Sequence, residues 1–149
     1  MIVTAALRPA EAGDWPRILS LLTAAGLPTE DLRPEAVADF TVATDAGRVV
    51  GAVAVERYGP SGLLRSLVVD PGWRGRGLGR ALADAAESAA AASCLGSLTL
   101  LTQTAAPFFR AIGYQPIARD AAPTAVRSST EFTNLCPGSS SCLIKSLSA

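Results

Sequence analysis

The stretch Arg74-Gly75-Arg76-Gly77-Leu78-Gly79 decides the fold, because it joins a short apolar segment to a long alanine-rich one. Leu63 to Val69 predicts a strand, which Asp70-Pro71-Gly72 ends, and the segment from Leu78 to Ala92 predicts a helix. Glycines allow a tight turn, and a helix N-terminus offers free amide groups and the positive end of its dipole. With arginines beside it, this loop is predicted to bind phosphate or pyrophosphate.

Two other kinds of phosphate-binding loop do not fit this stretch. A Walker loop needs a lysine, and the only lysine of the sequence is Lys145. A dinucleotide-binding loop opens a βαβ unit and has glycine in its sixth position. Here three antiparallel-looking strands precede the loop, and Arg80 occupies that position. An ordinary glycine-rich turn with solvated arginines remains an open alternative.

The elements around the loop predict one α/β (α+β) domain over residues 1–149. The segments upstream predict a first strand near Thr4 to Arg8, a helix capped by Asp14, and three antiparallel strands. Downstream of the loop helix, a strand is followed by a helix capped by Thr104, and two further strands end the chain. This order predicts a mixed, mostly antiparallel central sheet with helices on both faces.

Composition narrows the function classes. Hydrophobic residues make up 49% and charged residues 17%, which is typical of a globular protein. The net charge of zero argues against nucleic-acid binding. The sequence has no run of about 20 apolar residues, so we expect no membrane span and a soluble, cytoplasmic protein. There is no histidine, so histidine-based hydrolases and metal sites are excluded, and no bound metal is expected.

Two motifs resemble the GNAT (Gcn5-related) N-acetyltransferase superfamily. The pattern Arg74-x-x-Gly77-x-Gly79 is similar to the family's Arg/Gln-x-x-Gly-x-Gly/Ala motif. Downstream, Phe108-Phe109-Arg110-Ala111-Ile112-Gly113-Tyr114 resembles its Phe-Tyr-x-x-x-Gly-Phe signature. The resemblance implies acetyl-CoA as co-substrate and transfer of the acetyl group to an amine. It covers nearly the whole chain in element order.

The resemblance also implies where the cofactor binds. The strand before the loop would pair its backbone with pantetheine, as an added strand does, and the loop would hold the pyrophosphate. The implied cofactor-binding residues are Leu67, Val68, Val69, Arg74, Gly75, Arg76, Gly77, Leu78, Gly79, Arg80 and Phe109. Phe109 departs from the family, which often has a tyrosine there as general acid, and Tyr114 is read as a core residue.

The acceptor side of the site rests on three residues. Glu56 is the candidate catalytic base, and Arg65 and Ser66 are candidates for substrate binding. A charge inside the apolar strand that carries Arg65 needs a partner. That partner is either a carboxylate of the substrate or Glu56 itself, and both alternatives stay open.

A narrower likeness concerns the substrate. Leu63 to Val69, Leu100 to Thr102 and Glu131 to Pro137 resemble a GNAT branch linked to arsenic-resistance operons, and Ser141 to Leu147 resembles the end of N-acetylglutamate synthases. The leading hypothesis is therefore an N-acetyltransferase acting on a small amine, such as a glutamate-like or arsenic-containing amino acid. A homodimer is an open alternative for its oligomeric state.

Two rival functions remain. One is a non-catalytic acyl-CoA-binding or regulatory domain, which the missing tyrosine at Phe109 keeps open. The other is an arsenical-binding accessory protein that uses Cys136 and Cys142. The sequence has three cysteines, Cys94 being the third. Their number is odd and none is spaced as CxxC, so reduced thiols are expected.

Overall fold

The computed structural model describes residues 5–135 and 140–147. Its strands are β1 (Ala6–Pro9), β2 (Phe40–Asp45), β3 (Arg48–Tyr58), β4 (Ser61–Val69), β5 (Ser97–Thr102), β6 (Gln115–Ile117) and β7 (Ser141–Ser146). Its α-helices are α1 (Trp15–Ala24), α2 (Leu78–Ala92), α3 (Ala106–Ala111) and α4 (Thr124–Arg127). A short π-helix, Glu131–Leu135, precedes the last strand.

The strands form a seven-stranded sheet in the order β1-β2-β3-β4-β5-β7-β6. Pairing is antiparallel for β1–β2, β2–β3, β5–β7 and β6–β7, and parallel for β4–β5. The predicted fold class, a mixed and mostly antiparallel sheet with helices, is confirmed. Because β7 pairs with both β5 and β6, the strand that comes last in the chain is not an edge strand.

The contacts divide the chain into two compact units. Unit 1 comprises Met1–Val55 and Ser66–Ala86, and unit 2 comprises Glu56–Arg65 and Glu87–Ala149. Strands β3 and β4 and helix α2 therefore each contribute residues to both units. That residues 1–149 act as one domain stays a prediction.

Unit 1 has a core between α1 and the first strands. Ile18, Leu21 and Leu22 recur at helical spacing and are buried, as the periodicity predicts. Trp15 packs edge-on against Phe40 of β2, with ring centroids 5.9 Å apart. This packing holds the first turn of α1 against β2.

The predicted place of Asp14 at the N-cap of α1 is confirmed, but the predicted capping by its side chain is wrong, because no side-chain hydrogen bond caps α1. The Asp14 carboxylate instead accepts from the Glu11 amide and from both terminal nitrogens of Arg8, with the shorter guanidinium contact at 2.7 Å. A guanidinium is a stronger donor for a carboxylate than an amide alone. Asp14 therefore ties β1 to the turn that leads into α1.

Unit 2 has a separate core on β4, β5, β6 and β7. Its members come from the strands and from the segment between β6 and β7, and they are Leu63, Ala122, Val126, Phe132 and Cys142. The predicted Thr104 cap of α3 is also wrong: the N-cap residue is Ala105, whose amide donates to Thr102 Oγ1 at 2.9 Å. The short α4 and the π-helix thus supply much of the apolar cover of this unit.

Candidate functional site

The backbone of β4 changes conformation in the middle of the strand. Ser66 has a φ of 60°, in the left-handed region that few non-glycine residues adopt. The parallel pairing with β5 covers only Ser61, Gly62 and Leu63. The strand nevertheless continues to Val69. A residue with this φ interrupts a regular ladder of strand pairing.

The end of β4 is tied down by Asp70. Its carboxylate accepts from the Gly72 amide at 2.9 Å and from the Arg17 guanidinium, which also donates to the Val49 carbonyl at 3.0 Å. The Gly72 amide, together with Arg17, lowers the pKa of Asp70 against the opposing effect of burial. The Asp70 amide donates to the Val50 carbonyl at 2.8 Å. This network fixes the starting point of the loop.

The loop then turns into α2 through two glycines in the left-handed region. Gly75 and Gly77 have φ values of 78° and 80°, which L side chains rarely adopt. Helix α2 begins at Leu78, and the Ala81 amide donates to the Gly77 carbonyl. The first amides of an α-helix have no partner within the helix, and here they follow an exposed loop. The predicted strand, loop and helix are thus present.

Three arginines in and after the loop differ in their contacts. Arg76 lies over the Trp73 ring, 4.6 Å from its centroid, which is a cation–π distance. Arg80 is 3.9 Å from Asp84, and both side chains are largely exposed, so this pair adds little stability. Arg74 is exposed as well. Arg74 and Arg76 therefore offer positive charge at the surface of the loop.

Helix α2 is held against β3 by a close contact at Gly51. A Cβ atom there would lie 2.9 Å from Leu82 Cδ1 and 3.2 Å from the Val68 carbonyl oxygen. Leu78 and Leu82 are buried, as is the Val68 side chain. The side chains of Leu78 and Val68 are therefore core residues, and only their main-chain groups remain for a ligand.

A buried polar cluster lies in unit 2. The Arg65 side chain is 1% exposed, and its Nε is 3.1 Å from Glu131 Oε2 while its Nη1 is 3.2 Å from Glu56 Oε2. The Tyr58 hydroxyl donates to Glu56 Oε1 at 2.7 Å. The Arg65–Glu56 ion pair considered from sequence is present, and a second carboxylate joins it.

Phe109 and Tyr114 belong to a second cluster in unit 2. Both are buried, and their rings pack edge-on with centroids 5.5 Å apart. The Tyr114 hydroxyl donates to Glu87 Oε2 at 3.1 Å, and Lys145 Nζ donates to Glu87 Oε1 at 2.8 Å. Tyr114 is thus buried, as expected, with a polar anchor. A ligand role for Phe109 stays a prediction.

Sequence reasoning missed several residues of these arrangements. Arg17 and Asp70 meet across 53 positions, and Arg65 and Glu131 across 66, so neither pair leaves a local pattern. A buried charge within β4 did signal that Arg65 needed partners. It did not identify Glu131 as one of them.

The cysteines do not form a ligand set in the described part of the chain. Cys94 is exposed, whereas Cys142 is buried, and burial raises the pKa of its thiol to about 11. Cys136 lies outside the described residues. Over residues 5–135 and 140–147, no cluster of three or more histidine, cysteine or carboxylate side chains could hold a metal ion. Nor does any helix there have the length and apolar character to cross a bilayer.

The family follows from a comparison with protein-family models. Residues 36–116, more than half of the 149-residue chain, match the acetyltransferase (GNAT) domain. The chain belongs to the GNAT acetyltransferase family. The match runs from before β2 into β6 and includes the loop, and of the polar cluster it includes Glu56, Tyr58 and Arg65 but not Glu131. No curated protein matches the sequence at a significant level.

Solved structures share this GNAT fold. N-acetylglutamate synthase from Neisseria gonorrhoeae, complexed with coenzyme A and N-acetyl-glutamate, is 21% identical with a TM-score of 0.87. The alignment covers 100% of this chain but 36% of the synthase, so the chain spans about a third of that protein. Rv2747 from Mycobacterium tuberculosis, in complex with CoA, is 25% identical, with a TM-score of 0.81 and coverage of 95% and 98% of the two chains.

A third similar structure is a GNAT-family acetyltransferase from Staphylococcus aureus Mu50. It is 14% identical, with a TM-score of 0.76, and the alignment covers 97% of this chain and 100% of that one. At such identities the likeness concerns the fold.

Proposed function

We propose that this protein is an acetyl-CoA-dependent N-acetyltransferase whose acceptor is the amine of a small molecule, an amino acid in particular. The observation that carries the proposal is the unit 1 arrangement: β4, the loop with left-handed Gly75 and Gly77, and the start of α2. Membership of the GNAT family and the CoA bound to Rv2747 and to the Neisseria synthase support the choice of cofactor.

Different residues of the loop and of β4 bind different parts of acetyl-CoA. Free amides at the start of α2 hold the pyrophosphate, where the helix dipole favours negative charge. Arg74 and Arg76 add charge-assisted contacts to phosphate oxygens. Main-chain groups of Leu67, Val68 and Val69 pair with pantetheine in the manner of an added strand. Ser66 lies where β4 changes conformation, at the start of that segment.

The reaction is direct attack by the acceptor. The amine nitrogen forms a bond to the acetyl carbonyl carbon and gives up a further proton to water, the carbon–sulfur bond breaks, and CoA leaves as a thiolate. Glu56 accepts the proton from the acceptor ammonium, and this is its catalytic role. A thiol pKa near ~8.5 lets the thiolate leave without a tyrosine acid and take its proton from water. Phe109 is therefore compatible with turnover.

Two findings support an amino-acid acceptor. The similar Neisseria enzyme was solved with N-acetyl-glutamate. The end of this chain also resembles the ends of N-acetylglutamate synthases. The acceptors to be tested therefore include L-glutamate, arsenic-containing amino acids, and amines without a carboxylate.

A CoA-release assay tests the proposal. Acetyl-CoA is supplied with a panel of L-amino acids, their decarboxylated amines and polyamines, and thiol release is followed over time. We expect release that depends on both substrates, and an acetylated product of the expected mass. Tight acetyl-CoA binding without turnover on any amine would contradict the proposal.

That last outcome is the prediction of the second candidate, a non-catalytic acyl-CoA-binding domain. The observation that favours it is Phe109, which is 5% exposed and has no hydroxyl. Phe109→Tyr separates the two functions. A catalytic domain already turns over without this hydroxyl, so the substitution changes its rate modestly. In a domain that is non-catalytic because it lacks this hydroxyl, wild type releases no CoA and Phe109→Tyr does.

A further inference from the structure

We propose that Arg65 is a positioning residue: it holds Glu56 in the orientation that accepts the acceptor's proton, and it does not bind a carboxylate of the acceptor. The inference rests on the proposed function, since it assigns Arg65 a role in that reaction. It also replaces the sequence-based expectation that the guanidinium recognises the substrate.

The burial of Arg65 carries the first step. Its side chain is 1% exposed, and two carboxylates of the chain already lie against it, on Nε and on Nη1. Arginine presents its donors in a rigid planar fork. A carboxylate of the acceptor that bound this fork through two donors would have to displace Glu56 or Glu131, because each donor pair includes Nε or Nη1. Displacement would leave a carboxylate without its partner in a buried place, which is unfavourable.

Glu56 is the member of the cluster that a substrate can reach. Its side chain is 22% exposed, compared with 1% for Arg65 and 5% for Glu131. Tyr58 donates to one of its oxygens and Arg65 to the other, so both oxygens are held in place. Each carboxylate oxygen has two lone-pair sites, which leaves capacity for an ammonium donor.

Glu131 completes the arrangement from a distant part of the sequence. It lies in the π-helix Glu131–Leu135. Short π-helical turns are frequently found at functional sites. Its contact with Nε leaves Nη1 for Glu56, so the two carboxylates use different donors of one guanidinium. Glu131 therefore fixes the rotation of Arg65, and Arg65 fixes the orientation of Glu56.

The two roles of Arg65 predict different kinetics. A residue that binds the acceptor's carboxylate lowers KM for acceptors that have one, and its loss spares amines that lack it. A residue that positions the base affects the chemical step for every acceptor alike. The measurement therefore uses matched acceptors: L-glutamate with propylamine, which lacks both carboxylates, and L-methionine with 3-(methylthio)propylamine.

Arg65→Lys is the main variant, because it keeps the positive charge and loses the fork. We expect kcat to fall about tenfold for all four acceptors, with each KM within about twofold of wild type, as a small misplacement of a catalytic group produces. Glu131→Gln, which leaves Arg65 in place but loosens it, is expected to lower kcat by a smaller factor. Arg57→Lys is the matched control on β3, where Arg57 donates to Ser93 at the surface.

A double-mutant cycle tests whether Arg65 acts through Glu56. In a Glu56→Gln background, Arg65→Lys should lower kcat no further, because the base it positions is gone. Additive losses would overturn the inference. So would a rise in KM confined to L-glutamate and L-methionine. Thermal melts of each variant separate these kinetic effects from unfolding, and Glu131→Gln gives the same comparison if Arg65→Lys does not fold.

The activity of the wild-type protein shows whether a negative result contradicts the proposed function or only the role of Arg65. If wild type acetylates none of the amines in the panel, the proposed function fails and the role of Arg65 falls with it. If wild type is active but Arg65→Lys keeps full kcat on all four acceptors, the function stands and the positioning role fails.

Discussion

Single residues of the loop make the sharpest predictions about the cofactor. Gly77 has a φ of 80° immediately before α2, where a ligand would approach the backbone. In Gly77→Val the side chain strains this conformation and blocks that approach. We expect affinity for acetyl-CoA to fall at least about tenfold, a loss of roughly 1.4 kcal/mol, as measured by isothermal titration.

The control for this prediction is Gly59→Val. Gly59 also has a positive φ, 63°, but lies in the turn between β3 and β4. The two variants share the backbone strain, so a comparable thermal destabilisation is expected of both. Unchanged affinity in a folded Gly77→Val protein would remove the loop from the cofactor site.

The buried thiol of Cys142 gives a second prediction at this scale. Its pKa is raised to about 11 by burial, so roughly 0.1% is thiolate at pH 8. In a Cys94→Ser/Cys136→Ser protein, we expect iodoacetamide to label Cys142 only after unfolding in urea. Equal labelling rates for native and unfolded protein would contradict this. Trivalent arsenicals bind thiolates, so an inert Cys142 also weakens the arsenical-binding alternative.

Between elements, the contact of β3 with α2 depends on Gly51. An added methyl group would meet Leu82 Cδ1 at 2.9 Å and a main-chain oxygen at 3.2 Å, and the second cannot move without shifting β4. We expect Gly51→Ala to lower the free energy of unfolding by about 1–3 kcal/mol. Urea denaturation measures this change.

Gly13→Ala is the matched substitution, because no heavy atom lies within 4 Å of its added Cβ. We expect a change within about 1 kcal/mol, and a small gain is compatible with the loss of chain entropy in the unfolded state. If both variants were equally stable, the close approach of β3 and α2 would not limit packing.

How far the sequence predicted these elements depended on whether their signals were local. The helix α2 was predicted with its observed bounds, because glycines precede it and alanines with spaced leucines continue it. The capping bonds predicted for Asp14 and Thr104 were wrong: the Asp14 carboxylate has a stronger donor in Arg8, and the N-cap residue of α3 is Ala105, whose amide donates to Thr102. Contacts such as Arg65–Glu131 depend on the folded sheet, so no window of sequence contains them.

At the scale of the whole molecule, two carboxylates make the free energy of unfolding depend on pH. The Arg8 guanidinium lowers the pKa of Asp14, and the Gly72 amide with Arg17 lowers that of Asp70. An acid with a lower pKa when folded stabilises the fold above its unfolded pKa of about 3.9, and that contribution is lost as pH falls through the folded value. We therefore expect stability to be nearly constant above pH ~5 and to decline below pH ~4.

Asp14→Asn/Asp70→Asn tests this link in urea titrations from pH 7 to pH 3. The double variant should be less stable than wild type at pH 7, and the difference should shrink as the pH falls. Asp84→Asn, at a surface pair 3.9 Å from Arg80, serves as control. A gap between wild type and double variant that stays constant with pH would contradict the assignment.

The contacts of Lys145 determine whether the protein's own lysine can react in such assays. It is the only lysine in the sequence, and its amine is already engaged by Glu87 Oε1 and the Ile112 carbonyl at 2.8 and 2.9 Å. An ammonium held this way is a poor nucleophile. Self-acetylation of lysine should therefore be negligible, and thiol released in an acceptor assay reports on the added amine. Coupling through the lysine amine will likewise attach the protein poorly to a sensor surface, so a tag-based capture is the better choice.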